Sequence, residues 1–108
     1  MTLDTSPAPA SEMAENAEAA AIYLKTLAHS GRLMILCHLG VGEKSVSELE
    51  TLLNVRQAAA SQMLARLREE GLVSTRRDGK TIYYSLADDK TKQVIALLYN
   101  LFCAPEAE

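Results

Sequence analysis

A mostly helical chain with one β-hairpin wing is the fold class this sequence predicts, and three observations predict it. Apolar residues recur at three- and four-residue spacings through several separate segments. Asp78-Gly79 sits between two runs rich in β-branched and aromatic residues. A last, strongly apolar helical stretch closes the pattern. The expected order is four helices, two strands and a fifth helix.

Each element has its own local reason. The first 11 residues are rich in Ser, Thr, Pro and Ala and read as a disordered tail. From Ser11, Met13, Ala17, Ala20, Ala21, Leu24 and Leu27 recur with helical spacing. A second helix is expected over about 31–39, with Ser30 as N-cap, Gly40 as stop, and Leu33, Leu36 and Cys37 on one side. Residues 42–44 read as a loop. Two overlapping capping boxes follow, Ser45-x-x-Glu48 and Ser47-x-x-Glu50, opening a short helix that carries Leu49, Leu52 and Leu53 and stops near Asn54. The fourth helix runs from about Gln57 to Glu70 and ends at Gly71. Residues 73–77 and 81–86 are the strands, with Asp78-Gly79 as a type I′ turn. Residues 88–102 form the last helix, and 105–108 a flexible tail. The domain proper is expected over 12–104.

Composition narrows the function classes. A chain of 108 residues, 48% hydrophobic and 23% charged, reads as one globular domain. No apolar run approaches the roughly 20 residues a membrane-spanning helix needs. The first ten residues carry no basic start or apolar stretch. No membrane association and a cytoplasmic location are therefore expected. The net charge of −3 looks unsuited to nucleic acid. Yet residues 54–80 hold six cations (Arg56, Arg66, Arg68, Arg76, Arg77, Lys80) against three acids (Glu69, Glu70, Asp78), a local charge of +3. Phosphates feel charge within about 8–10 Å, so the local field governs.

A tight helix pair followed by a hairpin is a winged helix-turn-helix, whose second helix lies in the major groove. Its first turns carry Arg56, Gln57, Ala58, Ser61 and Gln62. Gln can bond adenine bidentately, and Arg can read guanine or neutralise phosphate. Ala58, Ala59 and Ala60 are small enough to permit close approach. Arg66 adds a cation to this helix. Arg76, Arg77 and Lys80 flank the hairpin tip. The helices alone fit equally a solvated polar face on an ordinary α+β domain. The basic hairpin directly after them favours double-stranded DNA as partner.

The stretch SVSELETLLNVRQAAASQMLARLREEGLVSTRRDGKTIYYSL, with LAHSGRLMIL before it, resembles the ArsR/SmtB family of small repressors. The resemblance extends from about Ala20 to Cys103. It implies a homodimer built from the first and last helices and an inverted-repeat operator, with Gln57, Ala58, Ser61 and Gln62 in the base-reading stretch. The sequence departs from the family's pattern at Arg56, where a Ser N-cap is common, and at Met63, where His is common.

The sensing chemistry turns on few residues. Soft metal ligands are limited to Cys37, Cys103, His29 and His38, and a closed zinc site needs about four. The third helix has no Cys or His, and the last has no His. No metal, no other cofactor and no enzymatic activity are expected. Cys37 with His38 as a thiol enzyme is disfavoured, because adjacent helix residues point about 100° apart. Read from residues alone, Cys37 is a core hydrophobe or half of a redox pair. The placement of Cys37 in the second helix and Cys103 at the end of the last is similar to the dithiol, persulfide-sensing subgroup of the family. That resemblance implies a di- or polysulfide bridge, formed by reactive sulfur species as inducer, that releases operator DNA. A peroxide or electrophile sensor, a virulence-gene regulator, a metal sensor and a protein-interaction module without a DNA role are the competing readings.

Overall fold

The computed structural model describes residues 9–103. In chain order the elements are α1 (Ala10–Leu27), α2 (Ser30–Val41), β1 (Lys44–Ser45), α3 (Val46–Leu53), α4 (Gln57–Glu69), β2 (Val73–Asp78), β3 (Thr81–Leu86) and α5 (Asp89–Phe102). Five helices and a hairpin occur in the expected order. Of the tails expected over 1–11 and 105–108, residues 1–8 and 105–108 lie outside the described residues, while Ala10 and Ser11, expected in the first tail, already belong to α1.

The core is a single cluster to which all five helices and both strands of the hairpin contribute. Leu27 of α1, Ile35, Leu36 and Leu39 of α2, Leu49 of α3, Leu64 and Leu67 of α4, and Ile95 of α5 are buried together with Leu72, Val73 and Leu86. On α2 the buried face is therefore set by Ile35, Leu36 and Leu39, while Leu33 and Cys37 are only half-buried at its margin. On α1 the apolar residues before Thr26 are exposed except for half-buried Tyr23.

Helix ends explain most differences from the sequence reading. His29, not Ser30, caps α2: its Nδ1 accepts from the Arg32 backbone N–H at 3.2 Å. Gly40 does not stop α2, which continues to Val41. Gly40 instead allows α2 and α5 to approach, since a Cβ there would sit 3.3 Å from Ile95 Cγ2. Of the two capping boxes only one forms. Ser45 Oγ accepts from the Glu48 N–H at 3.2 Å, and Glu48 Oε1 accepts from the Ser45 N–H at 2.9 Å. Ser47 is already inside α3, and its hydroxyl lies 3.3 Å from Ser45 Oγ.

Asn54, at φ 54°, ends α3 in the left-handed conformation, which Asn tolerates better than most residues. Only residues 54–56 separate α3 from α4. Gly71, at φ 77°, ends α4. The Gly71 N–H donates to Arg68 O at 3.0 Å and the Leu72 N–H to Leu67 O at 2.9 Å, the paired bonds of a Schellman stop. Asp88 caps α5 through the Thr91 N–H at 2.9 Å. The Tyr23 hydroxyl donates to Thr91 Oγ1 at 3.1 Å, tying α1 to α5.

The hairpin turn is shifted by one residue. Asp78 pairs with Thr81, so Gly79-Lys80 is the two-residue loop. Gly79 has φ 63° and Lys80 is not among the positive-φ residues. Positive φ at the first loop position alone fits a type II′ turn, not the expected type I′. A third strand, read from sequence as loop, completes the sheet in the order β1-β3-β2. Lys44 and Ser45 pair with Tyr84 and Tyr83.

Candidate nucleic-acid interface and thiol pair

Helix α4 divides into two faces. Ala60, Leu64 and Leu67, spaced four and three apart, are fully buried. Ala58, Ser61, Gln62 and Ala65 are exposed on the other face, next to exposed Gln57 and the N-cap residue Arg56. The spacing of these positions puts them on one side of the helix. The alanine run is thus split: Ala58 lies outside, Ala59 is half-buried and Ala60 belongs to the core. Arg56 makes no side-chain cap bond and leaves its guanidinium outside the helix ladder. Arg66 is exposed one turn from the helix end and lies 3.7 Å from Glu70. Met63 is half-buried behind this face, its sulfur against Gly31 at the start of α2.

The hairpin leans toward this face. Gln57 of α4 and Lys80 of the turn line one notch of about 310 Å³ together with Ser47 and Glu50 of α3. Arg77 and Lys80 are exposed, with no ion pair among the described residues. Arg76 is different. Its Nε donates to both Glu43 carboxylate oxygens, at 3.1 and 3.0 Å, and a terminal nitrogen also donates to Glu43 Oε1. Its guanidinium carbon sits 4.7 Å from the Tyr83 ring centroid. These hydrogen bonds hold the Glu43 carboxyl below the usual glutamate range. The Nε and one terminal nitrogen of Arg76 are thus engaged within the protein.

Separate from this face, α2 and the end of α5 enclose a cleft of about 470 Å³. Cys37 and Cys103 both line it, with Leu33, Met34, Val41 and Tyr99 supplying apolar wall. Both cysteines are free thiols. Cys37 is half-buried and Cys103 exposed. Burial pushes the Cys37 thiol up, and the nearby Cys103 charge pushes it further. A second cleft of about 450 Å³ shares Cys37, Val41 and Tyr99 and extends past Gly40 toward Lys92. His38 lines the first cleft beside Cys37, although neighbours on a helix diverge. The cleft is wide enough to take both edges of α2. His29, by contrast, is spent as a helix cap. Among the described residues, no three of His, Cys, Asp and Glu gather closely enough to hold a metal ion.

Outside both sites, apolar side chains remain uncovered on the two terminal helices. Met13, Ile22 and Leu24 of α1 are more than half exposed, and on α5 Leu101 is 66% and Phe102 80% exposed. No helix of the described residues is long and apolar enough to cross a membrane.

Comparison with known proteins agrees with this geometry. Residues 29–75, from the cap of α2 into β2, match the family described as "Bacterial regulatory protein, arsR family". The chain is 52% identical over 104 residues to the biofilm growth-associated repressor of Agrobacterium fabrum, covering 96% of this chain and 89% of that protein. It is 43% identical over 101 residues to the transcriptional activator HlyU of Vibrio cholerae, covering 94% of each. Among solved structures, reduced HlyU from Vibrio cholerae superposes with a TM-score of 0.83 at 44% identity, covering 86% of this chain and 98% of that one. The transcriptional repressor BigR from Xylella fastidiosa does so with 0.84 at 44% identity, covering 93% and 99%. The chain therefore belongs to the ArsR family of bacterial regulatory proteins, winged helix-turn-helix transcriptional regulators that bind DNA and are not enzymes.

Proposed function

We propose that this regulator is a homodimeric repressor of an inverted-repeat operator, and that reactive sulfur species release it by bridging Cys37 to Cys103. The observation that carries the reading is the shared cleft: two free thiols from the second and last helices line one apolar opening. Exposure of Cys103 gives a reagent access, and the half-buried position of Cys37 suits a resolving thiol.

The chemistry balances without a further oxidant. The Cys103 thiolate attacks the sulfane sulfur of a persulfide RSSH, forming Cys103–S–SH and expelling RS⁻. The Cys37 thiolate then attacks the inner sulfur, closing a disulfide and expelling HS⁻. Two thiols and one RSSH become one disulfide, RSH and H₂S. A second RSSH supplies one more sulfur atom, and the products are a trisulfide, two RSH and H₂S. Longer bridges relieve strain where the native separation exceeds the roughly 4.4–6.8 Å between Cα atoms that a disulfide requires.

Dimerisation is supported by the uncovered apolar surface of α1 and α5, since so small a domain gains from a shared core. For DNA, the exposed face of α4 offers Arg56, Gln57, Ala58, Ser61 and Gln62, and the wing offers Arg77 and Lys80. Arg66 is the weaker contributor, because Glu70 shares its charge. The name of the Agrobacterium relative, a repressor, supports repression, and a relative solved in a state described as reduced supports a redox switch.

The test is mass spectrometry of the reduced protein after a persulfide and, separately, after hydrogen peroxide, beside operator binding. Sulfur atoms inserted between Cys37 and Cys103 under persulfide alone, with loss of operator, support the reading. Equal release by peroxide assigns a general oxidant sensor.

A further inference from the structure

We propose that Glu43 is a positioning residue for the wing: with Arg76 and the ring of Tyr83 it forms a strap that sets the hairpin's angle to the helix-turn-helix. The proposal rests on the reading that Arg77 and Lys80 touch the DNA backbone.

The strap crosses the whole sheet. Glu43 immediately precedes β1, Tyr83 lies in the central strand β3, and Arg76 lies in β2 directly opposite Tyr83. The Arg76 side chain passes over the Tyr83 ring at 4.7 Å and grips the Glu43 carboxylate with two of its nitrogens. Tyr83 is itself paired on both sides, with Arg76 and with Ser45. Among the described residues, β1 is the one further strand paired with the hairpin, and it is two residues long. Residues 77–80 lie past the reach of β1, where the sheet narrows to the two strands of the hairpin, and a two-stranded ribbon is by itself marginally stable in water.

Geometry, not stability, is what the strap supplies. An exposed ion pair contributes little to folding. A planar guanidinium held by both carboxylate oxygens and stacked on a ring has one orientation, which a lysine at the same place cannot reproduce. The strap also joins two parts of the molecule that must act together. Glu43 follows α2, the helix that carries Cys37, by two residues, while Arg76 lies one residue before Arg77. A shift of the α2 end is transmitted to the wing through this contact.

The test uses full-length dimer and a duplex selected in vitro by the unaltered protein, beside an unrelated duplex, with affinity measured across salt concentrations. Glu43→Gln and Arg76→Lys are expected to weaken binding about three- to tenfold on both duplexes. Their log–log salt slopes are expected to be shallower by up to about 1.8 per wing, the loss of two phosphate contacts. The exchanged pair Glu43→Arg with Arg76→Glu restores the ion pair across the sheet but not the stacking on Tyr83, and is expected to recover part of the affinity that either single change loses. If Arg76→Lys binds normally and the exchanged pair binds worse than either single change, Arg76 is a direct phosphate ligand and the strap has no positioning role. If Arg77→Ala with Lys80→Ala leaves the slope unchanged, the wing does not touch DNA and both readings fall. If that double change flattens the slope while Glu43→Gln does not, only the strap falls.

Discussion

Residue by residue, the two cysteines differ in a way that chemistry can read. Cys37 has its thiol pushed up by burial and by the Cys103 charge, while Cys103 is exposed. A neutral alkylating reagent at pH 7 is therefore expected to label Cys103 first, with Cys37 following more slowly and accelerating as pH rises, because the thiolate is the reactive form. Replacing Cys103 by Ser removes the second cause, so the pH midpoint for Cys37 labelling falls. An unchanged midpoint means that the thiols do not sense one another. The linkage has a definite sign. A raised Cys37 value favours the folded state below the ordinary thiol value of 9.0, and that contribution is lost as pH rises through the folded value. At Gln62, exposed on the reading face of α4, substitution by Ala is expected to cost about 1–3 kcal/mol on the cognate site and far less on unrelated DNA. Equal losses on both duplexes, measured by anisotropy, exclude base reading there.

Among the elements, caps and turns show what local sequence can and cannot disclose. Asn54, Gly71 and Asp88 were legible as helix boundaries, because each residue type has its own conformational or hydrogen-bonding reason to sit there. The second capping box was not, since Ser45 and Ser47 carry the same signal and only tertiary pairing of β1 with β3 decides that the helix begins after Ser45. At α2 the local preference misleads, because Ser30 is the better capping residue in isolation but the ring of His29 reaches the Arg32 N–H. Glu43 as the partner of Arg76 lies 33 positions away, and no periodicity joins the two. The cleft was legible only as two cysteines on two helices; that both line one opening needed the packing of α2 on α5. Ser45→Ala, which removes the formed cap, is expected to destabilise the fold by about 1 kcal/mol in a denaturant titration, whereas Ser47→Ala stays within about 0.5 kcal/mol. A larger loss at Ser47 contradicts the observed choice of cap.

The whole molecule carries three surfaces: the outer face of α4 with the wing, the dithiol cleft, and the uncovered apolar side of α1 and α5. If the last is a dimer interface, a charge placed in it must be desolvated on association. Leu101→Glu is then expected to yield monomer in sedimentation equilibrium and to weaken operator binding by at least about tenfold, because the two half-sites are no longer held together. A dimer that persists unchanged assigns the interface elsewhere.

A bridge between Cys37 and Cys103 ties α2, which packs against α4, to the last helix, and half-sites about 34–36 Å apart tolerate little rotation of either head. A coupling of about 1–3 kcal/mol corresponds to roughly 5- to 150-fold weaker binding. The most direct measurement is operator affinity before and after persulfide treatment in the unaltered protein and in Cys37→Ser and Cys103→Ser. A bridge between the two thiols predicts near-equal affinity for all three when reduced, and release by persulfide only in the protein with both thiols. Release of the Cys103→Ser protein as readily as the unaltered one contradicts it.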